Sequence, residues 1–461
     1  MPSVAKTVTH SNARGGQIIL LFRPPLAPYG HFCRPEACTP VANSPKLEVM
    51  DTVRPPAVAG LFYPADPQQL RAEVSTLLAP HPPGDARIVV CPHAGYQFSG
   101  AVAARAVREL APSLRKIAIL SPNHRVPYRG MCTPGAQALA TPLGKMRVWQ
   151  PAEIASAPRV HRDEHGIEVI LPFLQLTHPE AEIFPVVVAE DDAAAVAQLI
   201  DATLADPTAG VIISSDMSHS LEADAAVAHD DAALKRAEAF EPLVGNDACG
   251  QKAWNGLSVI AAREGLYPEV LARDHSGTAS GDYSRVVGYA AVAYREIGAQ
   301  LPEIARAAIA GDDVELEHPW LRADGAAFVT LTTNGKLRGC IGSVTAHRPL
   351  LEDVRINARN AAFRDPRFAP LDSLDGIDVE VSVLSTPVDR GRVSRDEALS
   401  LLEPGVGVTL SSQSGRGTFL PMVWQQLETP EEFLTQLMRK AGWRAWPDDA
   451  RMETYTAREW R

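Results

Sequence analysis

Short β-branched runs alternate with alanine-rich amphipathic stretches between residues 87 and 294, and this alternation constrains the fold more than any other feature of the sequence. The run RIVVC is followed by GAVAARAVREL, in which Val102, Ala106 and Leu110 recur at helical spacing, and then by KIAIL. Later runs at EIFPVVVA, GVIISS and VVGYAAVAY are again separated by helical stretches. Strands that alternate with helices pair in parallel, so we predict an α/β domain with a mainly parallel sheet flanked by helices on both faces.

The pattern changes after Tyr294. Strand-like runs at AAFVTLTT, VEVSVLST and GVGVTLSS mix with helical stretches at PLLEDVRINARNAAF and PEEFLTQLMRKAG without strict alternation, which is typical of an α+β domain. The dipeptide Asn334-Gly335 tolerates positive φ at both positions and predicts a hairpin turn. We therefore predict a first domain at residues 50–297 and a smaller α+β domain at residues 298–461.

Residues 1–49 differ from the rest of the chain. They contain no acidic residue before Glu36, and their isolated run IILLF is short for the core of a signal peptide and lacks a small-residue cleavage site. We predict that these residues are either a disordered extension or not part of the native protein, in which case translation begins at Met50. An acid-poor organellar transit peptide is the alternative.

The overall charge and the cysteine spacing argue against several classes of protein. A formal net charge of −11 without clusters of Lys and Arg argues against a nucleic-acid partner. No apolar run approaches the roughly 20 residues of a membrane span, so we expect a soluble, cytoplasmic protein with no membrane partner. Six cysteines without a CxxC pair indicate neither a disulfide framework nor a structural zinc knuckle, and they fit a reducing compartment. A small molecule or another protein is the expected partner.

Potential ligands directly follow three of the predicted strands. His93 comes after RIVVC, His124 after KIAILSPN, and both Asp216 and His219 after VIISS. In an open parallel sheet, sites form in the crevice at the carboxyl ends of strands, where these loops converge. Cys249 lies just ahead of or at the start of a helical stretch, where backbone N–H groups favour a thiolate. Two imidazoles and a thiolate form a plausible metal shell that leaves one position open.

Each of these residues also has an ordinary structural interpretation. A single His or Cys is usually structural, and only the shared position at strand ends favours a site. The DxxH spacing places Asp216 and His219 on one side of a helical turn, but Asp216 is equally suited to be an N-cap. The segment HRDEHGIEVI is typical of a solvated helix face, although His165 is a candidate to reach the crevice. Cys91, within a β-branched run, is expected in the core.

Residues 53–295 resemble the Memo (mediator of cell motility) family, because seven stretches occur in that family's order: RPPAVAGLFYPADPQQL, CPHAGYQFSG, LSPNH, DEHGIEVILPFLQ, SSDMSH, ACG and TASGDYSRVVGYAAVAY. The family is similar in fold to the class III extradiol ring-cleaving dioxygenases, which use non-haem Fe(II). The resemblance implies that His93, His124 and Cys249 coordinate a divalent metal, with the catalytic candidates His219 and Asp216 beside the open position. Because the third ligand is a thiolate rather than a carboxylate, copper and zinc stay open beside Fe(II).

The second domain carries the motif KLRGCIGSV and, after a helical stretch, FRDPRFAPL. In the first motif, Cys340 is either a nucleophile on a tight turn or a structural residue, and the lack of a nearby His in the pattern favours the structural role. In the second, two X-Pro bonds fix an extended loop that would carry Arg367 to a surface cleft. Together with TFLP and FLTQLMRKAGW, these stretches resemble the AMMECR family from about residue 300 to the end.

The two resemblances imply a part in the bacterial AmmeMemoRadiSam system, in which Memo-like and AMMECR-like proteins occur with a radical S-adenosylmethionine enzyme. That enzyme is the expected partner, because this chain has no CxxxCxxC cluster motif of its own. The first functional hypothesis is a metal-binding, non-haem-iron, dioxygenase-like redox protein that acts on a small molecule or a modified peptide. The alternatives are a non-catalytic scaffold or ligand-binding protein for the radical enzyme, and a zinc-dependent hydrolase.

Overall fold

The computed structural model describes residues 53–190, 193–312, 314–427 and 429–461. The predicted extension at residues 1–49 lies outside the described residues. Within this part of the chain, no helix combines the length and the apolar character needed to cross a lipid bilayer.

The first domain is built from strands and helices that alternate for most of its length. In chain order its elements are β1 (Val53–Arg54), α1 (Pro67–Leu78), β2 (Ile88–Cys91), α2 (Tyr96–Arg108), β3 (Lys116–Pro122), β4 (Met131–Cys132), β5 (Ala138–Thr141), β6 (Gly144–Arg147), α3 (Pro158–His161), a 3-10 turn (Glu168–Ile170), α4 (Leu171–Thr177), β7 (Glu182–Val188), α5 (Ala193–Leu204), β8 (Ala209–Ser214), β9 (His219–Leu221), α6 (Ala223–Glu238), α7 (Gln251–Glu264), β10 (Leu266–His275), α8 (Ser276–Ser280) and β11 (Val286–Glu296).

An eight-stranded sheet forms the centre of this domain, in the order β10-β11-β2-β8-β3-β7-β4 with β9 paired to β11. The central strands β2, β8, β3 and β7 are parallel, as the sequence predicts. The outer strands β10, β11, β9 and β4 are antiparallel to their neighbours, so the sheet is mixed rather than mainly parallel. The reason is that β10 and β11 are joined by a short segment, and only a long crossover returns a chain in parallel.

Helices cover both faces of the sheet, as predicted. Along β2, Val89 and Cys91 pack into a core with α1, α2 and α4, whereas Ile88 and Val90 pack into a second core with α5, α6 and α7. Successive strand residues point to opposite faces, so burial on both faces explains why the β-branched runs are continuous. Cys91 is fully buried, which confirms its expected place in the core.

The carboxyl ends of the parallel strands meet at one edge of the sheet. There β2 ends at Cys91, β3 at Pro122 and β8 at Ser214. The residues that follow these strands, His93, His124 and Asp216, are therefore delivered to a common crevice, which is where open α/β sheets place their sites.

The second domain contains two antiparallel sheets with helices, which confirms the α+β prediction. Its elements are a 3-10 turn (Ile297–Gln300), α9 (Leu301–Ala310), α10 (Pro319–Arg322), β12 (Ala327–Thr333), β13 (Lys336–Gly342), α11 (Leu350–Phe363), β14 (Ile377–Leu384), β15 (Val388–Arg392), α12 (Arg395–Ser400), β16 (Gly407–Ser412), β17 (Gly415–Phe419), a 3-10 turn (Pro421–Gln425), α13 (Pro430–Lys440), β18 (Arg451–Tyr455) and β19 (Ala457–Trp460).

One of these sheets has the order β13-β12-β14-β19 and packs against α9 and α11, and the other has the order β15-β18-β16-β17 and packs against α13. The predicted hairpin joins β12 to β13, with φ of 50° at Asn334 and 72° at Gly335. Both residues are thus in the left-handed region that this type of turn requires.

The two domains contact each other where the last strand of the second meets the end of β11. Arg458 Nη2 pairs with Glu296 at 2.9 Å, and Trp460 Nε1 donates to the same carboxylate at 3.0 Å. At Leu266, which pairs with Glu296 across β10 and β11, the carbonyl accepts a hydrogen bond from His318 Nε2 at 3.0 Å. The junction is therefore held by specific polar contacts as well as by packing.

Candidate metal centre

Three side chains from distant segments meet at the carboxyl edge of the sheet. The potential ligand atoms of His93, His124 and Cys249 all lie within 4.8 Å of one another. Cys249 Sγ is 3.3 Å from Nε2 of His93, although the two residues are 156 positions apart in the chain. The structure thus brings together the three residues that the sequence indicates as metal ligands.

The tautomer of His93 is fixed by its neighbours. Its Nδ1 lies 2.7 Å from Ser214 Oγ, and the single proton of that hydroxyl is donated to the carbonyl of Gly166 at 2.5 Å. Nδ1 must therefore donate to Ser214, which leaves a lone pair on Nε2, next to Cys249. Burial, together with the nearby His124 and His165, lowers the pKa of His93 well below its usual value, so the imidazole is neutral. A neutral imidazole with a free Nε2 is what a metal ion requires.

His124 is held in the same way by a buried carboxylate. Its Nδ1 lies 2.7 Å from Glu164 Oε1, and its backbone N–H donates to Glu164 Oε2 at 2.8 Å. Burial alone would raise the pKa of Glu164, but the hydrogen bonds and charge of His124, together with the side chain of His165, outweigh it and hold the pKa far below its usual value. The ionised carboxylate only accepts, so Nδ1 of His124 donates and its Nε2 is left free. The side chain of His124 is 25% exposed, which makes it the accessible ligand of the cluster.

Cys249 does not have the thiolate character that the helix start predicts. α7 begins at Gln251 with Gly250 as its N-cap, and the cysteine sulfur accepts the N–H of Asp216 at 3.2 Å. Burial and the carboxyl group of Asp216 nevertheless raise the pKa of the thiol above its usual value. The prediction of a thiolate is therefore wrong for the metal-free protein, because these effects outweigh the helix terminus. A bound cation would have to displace the proton.

Asp216 and His219 occupy different places relative to this cluster. Asp216 is buried, accepts the N–H of His93 on Oδ1 at 2.8 Å, and has Oδ2 4.0 Å from His93 Nε2. Burial raises its pKa. His219 opens β9, and its Nδ1 is 2.9 Å from the carbonyl of Met217. Among the described residues there are two groups of close potential ligands, His93–His124–Cys249 and His124–Glu164–His165, and His219 belongs to neither. A positive charge on His219 would lower the pKa of both Asp216 and His93.

The proposed helical turn at Asp216 and His219 is wrong. Residues 215–218 form an irregular loop between β8 and β9, and the next helix, α6, has Glu222 as its N-cap. The carboxylate of Asp216 accepts the backbone N–H of His93 and does not cap a helix. The strand at His219 pairs with β11, whose antiparallel course the alternation pattern did not indicate.

The segment from residue 161 to residue 168 is not a solvated helix face. Glu164 and Glu168 are buried, and the ring of His165 lies 4.5 Å from that of His124 and 5.3 Å from that of His93. His165 Nδ1 is buried and lies 3.3 Å from Glu164 Oε1. His165 thus reaches the crevice. The contact of Glu164 with His124 was not predicted from the sequence, in which the acid beside a histidine in DEH is the only local signal for it.

The donor set fits a divalent transition metal. Two imidazoles lie beside a sulfur atom, and their outer nitrogens are already engaged by Ser214 and Glu164. Such outer hydrogen bonds are the usual support of histidine ligands. Two nitrogens and one sulfur suit zinc, copper and iron, so the ligand types alone do not select among them.

Comparison with known proteins assigns the family. The model of the family described as Memo-like protein matches residues 54–293, which is more than half of the chain. This chain belongs to the Memo-like family. The AMMECR1 family model matches residues 300–460, so both family resemblances are confirmed in a single chain.

Individual relatives include curated MEMO1 family proteins and one solved structure. A MEMO1 family protein of Methanopyrus kandleri is 36% identical over 284 residues, covering 52% of this chain and 99% of that protein. One from Sulfolobus acidocaldarius is 32% identical over 283 residues, covering 52% and 99%. The crystal structure of an uncharacterized Pyrococcus horikoshii protein, PH0010, is 31% identical, covers 35% of this chain and 89% of its own, and has a TM-score of 0.32.

A cavity of 740 Å³ opens beside Cys249 in the Memo-like domain. Its wall includes Asn123, Tyr128 and Lys252, and the Oδ1 of Asn123 is buried with no hydrogen-bond partner in the described part of the chain. A cavity of 680 Å³ at the domain junction shares no lining residue with the metal-ligand cluster. The cavity beside Cys249 can therefore present a ligand to the cluster.

The two motifs of the AMMECR1 domain meet at the edge strand β13. Cys340 donates its N–H to Asp365 at 2.9 Å, and Arg367 Nη2 donates to the Cys340 carbonyl at 3.0 Å. The sulfur of Cys340 accepts the Thr330 hydroxyl at 3.4 Å. Gly339 is required by close packing, since a Cβ there would come within 2.3 Å of the Ala361 carbonyl. Arg367 thus braces the strand that carries Cys340, and its side chain remains 53% exposed.

Proposed function

We propose that the Memo-like domain is a metal-dependent redox protein, with His93, His124 and Cys249 as the ligands of a divalent metal. The observation that carries this proposal is the convergence of their ligand atoms within 4.8 Å of one another, from three separate segments. Membership of the Memo-like family supports it. The similarity in fold to class III extradiol dioxygenases, which use Fe(II), is part of the proposal.

Fe(II) is the metal that we propose first. When bound, iron would supply redox chemistry toward O₂, while copper would supply redox chemistry of its own and zinc would act only as a Lewis acid. The thiol of Cys249 is the reason for keeping copper and zinc in the comparison, because soft sulfur ligands suit both.

Three residues around the ligands are placed to bind substrate or to hold a proton. Asp216, whose pKa burial raises, can keep a proton on Oδ2, near His93 Nε2. His219 directs Nδ1 to the Met217 carbonyl, so its Nε2 is free to accept or donate a proton. Nδ1 of His165 pairs with Glu164 Oε1 at 3.3 Å, and its ring lies beside those of His93 and His124, where it can contact a substrate. We propose Asp216 and His219 as the acid–base residues for a small molecule or a modified peptide.

Elemental analysis of protein purified under anaerobic, reducing conditions tests this function. We expect one equivalent of iron per chain in the native protein and its loss in His124→Ala and Cys249→Ser. Cys340→Ser is the matched control, because Cys340 lies in the other domain, and it should keep the metal. Metal content that is the same in all four proteins contradicts the proposed ligands.

A zinc-dependent hydrolase is the second candidate. The observation in its favour is the donor set itself, since two imidazoles and one sulfur with an open fourth position are also the pattern of catalytic zinc sites. Zinc lowers the pKa of its bound water to about 7 and so makes a nucleophile. Zinc as the native metal, with no consumption of O₂ by the protein, supports this candidate over the redox function.

We also propose a cytoplasmic role beside a separate radical S-adenosylmethionine enzyme. The support is the presence of Memo-like and AMMECR1 regions in one chain. Co-purification with that enzyme tests the partnership, and failure of the two proteins to associate when co-expressed contradicts it. Stoichiometric association without any turnover favours the scaffold hypothesis over the enzyme.

A further inference from the structure

The loop that carries Glu164 is held mainly by side chains rather than by regular backbone structure. It lies between α3, which ends at His161, and the 3-10 turn that begins at Glu168. One of its few internal backbone bonds runs from Glu164 N to the His161 carbonyl at 3.3 Å. Its conformation must therefore be imposed by contacts with the rest of the domain.

The carboxylate of Glu164 accepts hydrogen bonds from four N–H groups. Oε2 accepts the backbone N–H of His124, and Oε1 accepts its Nδ1–H together with the backbone N–H groups of His165 and Gly166, at distances from 2.7 to 3.2 Å. A carboxylate that accepts several bonds in fixed directions orients every donor around it. Glu164 therefore fixes both the rotamer and the tautomer of His124.

Arg54 holds the backbone of the same loop. Its Nε donates to the His161 carbonyl at 2.7 Å, and its Nη2 donates to the Glu164 carbonyl at 2.5 Å and to the Arg162 carbonyl at 3.4 Å. Three carbonyls on one planar guanidinium define the path of the loop, and the ammonium group of a lysine could not match that geometry.

The positive charge of Arg54 is balanced by Glu168 inside the domain. Arg54 Nη1 lies 2.8 Å from Glu168 Oε2, and the two residues are only 8% and 0% exposed. Glu168 also accepts the N–H groups of Ala57 and Val58 and the hydroxyl of Tyr63, at 2.6 to 2.9 Å. The pair thus ties residues 54–63 to the loop that carries Glu164.

Stability alone does not account for a pair of this kind. Burying two charges costs so much desolvation that well-packed apolar residues are often as stabilising or more so. An apolar pair could not hold three carbonyls in place, and the loop would lose the contacts that direct Glu164 toward His124. The pair is therefore better explained by the geometry it imposes than by its net energy.

We propose that Glu164 is the positioning residue of the metal centre and that the buried Arg54–Glu168 pair acts through it by fixing the loop. This inference rests on the proposed role of His124 as a metal ligand. Glu164 touches the outer side of His124, and neither Arg54 nor Glu168 is within the ligand group. Glu164 also belongs to a second group of close potential ligands, His124–Glu164–His165, but its four hydrogen bonds to N–H groups assign it to orienting His124. Together with Arg54 and Glu168 it would set how readily the centre takes up metal.

The test compares the metal-free full-length protein with its cobalt complex. Long-range ¹H–¹⁵N NMR of the metal-free protein reports the tautomer of His124, and the cobalt titration reports affinity and the sulfur-to-metal charge-transfer band. The variants are Glu164→Gln, Glu164→Asp and Arg54→Lys. Glu180→Gln is the matched control, because Glu180 is an exposed carboxylate of the same domain that does not line the cavity beside Cys249.

We expect a single Nδ1–H tautomer of His124 in the unmodified protein and in Glu180→Gln. Glutamine at position 164 can donate as well as accept, so Glu164→Gln should populate the other tautomer and weaken cobalt binding by about 10- to 100-fold. Glu164→Asp keeps the charge and should recover part of the affinity. Arg54→Lys keeps the ion pair with Glu168 but loses the planar guanidinium that binds the three loop carbonyls. It should therefore show the same mixture of His124 tautomers as Glu164→Gln.

Two results separate the inference from the function on which it rests. If Glu164→Gln and Arg54→Lys keep one tautomer and bind cobalt within about twofold of the unmodified protein, the positioning role is wrong. If the tautomers shift as expected but even the unmodified protein shows no sulfur-to-cobalt band, Glu164 positions His124 as inferred and it is the metal function that fails.

Discussion

His161 gives the pH dependence of stability that follows most directly from the structure. It is 2% exposed, and its Nε2 donates to the Cys132 carbonyl at 2.9 Å. Burial lowers the pKa of His161 to about 4, from an ordinary value of 6.5. Between these values the unfolded chain binds a proton that the folded protein does not, so stability must fall as the pH decreases.

The size of the effect follows from the two pKa values. Below pH 6.5 each pH unit costs up to about 1.4 kcal/mol until the folded pKa is reached, so the loss from this one group between pH 7 and pH 5 is about 2 kcal/mol. The test is His161→Gln, because glutamine keeps a donor for the Cys132 carbonyl but does not titrate. The variant should lose about 2 kcal/mol less stability than the unmodified protein over this interval.

Urea unfolding at pH 7 and pH 5 measures the difference, with hydrogen exchange of peptides from α2 reporting on the Memo-like domain. The exposed His347 of the AMMECR1 domain supplies the control variant, His347→Gln, which should follow the unmodified protein. Parallel pH profiles for the unmodified protein and His161→Gln would refute the reasoning, since they would show that His161 titrates alike in both states.

Three further predictions concern other parts of the chain. Arg54→Met should lower the free energy of unfolding by about 3–5 kcal/mol, because it leaves the buried carboxyl group of Glu168 without its partner. The double variant with Glu168→Leu should recover only part of this in thermal unfolding, because the N–H groups of Ala57 and Val58 and the hydroxyl of Tyr63 then lose their acceptor. Cobalt affinity should fall by about tenfold from pH 7 to pH 6, because the raised pKa of Cys249 means that binding releases a proton; a flat titration curve argues against sulfur ligation. Cys340 is partly exposed and should be alkylated in the native protein, whereas Cys91 is fully buried and should not. Mass spectrometry of the tryptic peptides measures the labelling, and equal labelling of the two would contradict the burial of Cys91.

The sequence predicted those features that depend on local periodicity. Residues that alternate between two buried faces, such as Ile88 and Val89, produce continuous apolar runs, so the central strands and their flanking helices could be recognised. Topology then places His93 and His124 at one edge, because parallel strands end on the same side. The hairpin turn at Asn334 could also be predicted, because it depends only on the conformational preferences of the turn residues themselves.

The features that escaped prediction depend on contacts between distant segments. The antiparallel strand β10 carries an irregular mixture of side chains that are only partly buried, so no clean period marks it. Glu164 is indistinguishable in sequence from a surface carboxylate, and only the folded chain shows that it meets His124, 40 positions earlier. The protonation of Cys249 likewise depends on burial and on Asp216, which a helix-start argument does not include.

X-ray absorption of the metal-replete protein tests the central claim most directly. For a centre built from His93, His124 and Cys249, the metal should show one sulfur neighbour and the outer-ring scattering of two imidazoles, and Cys249→Ser should lose the sulfur and keep the imidazoles. A spectrum without sulfur in the unmodified protein, or one that Cys249→Ser leaves unchanged, would contradict the assignment.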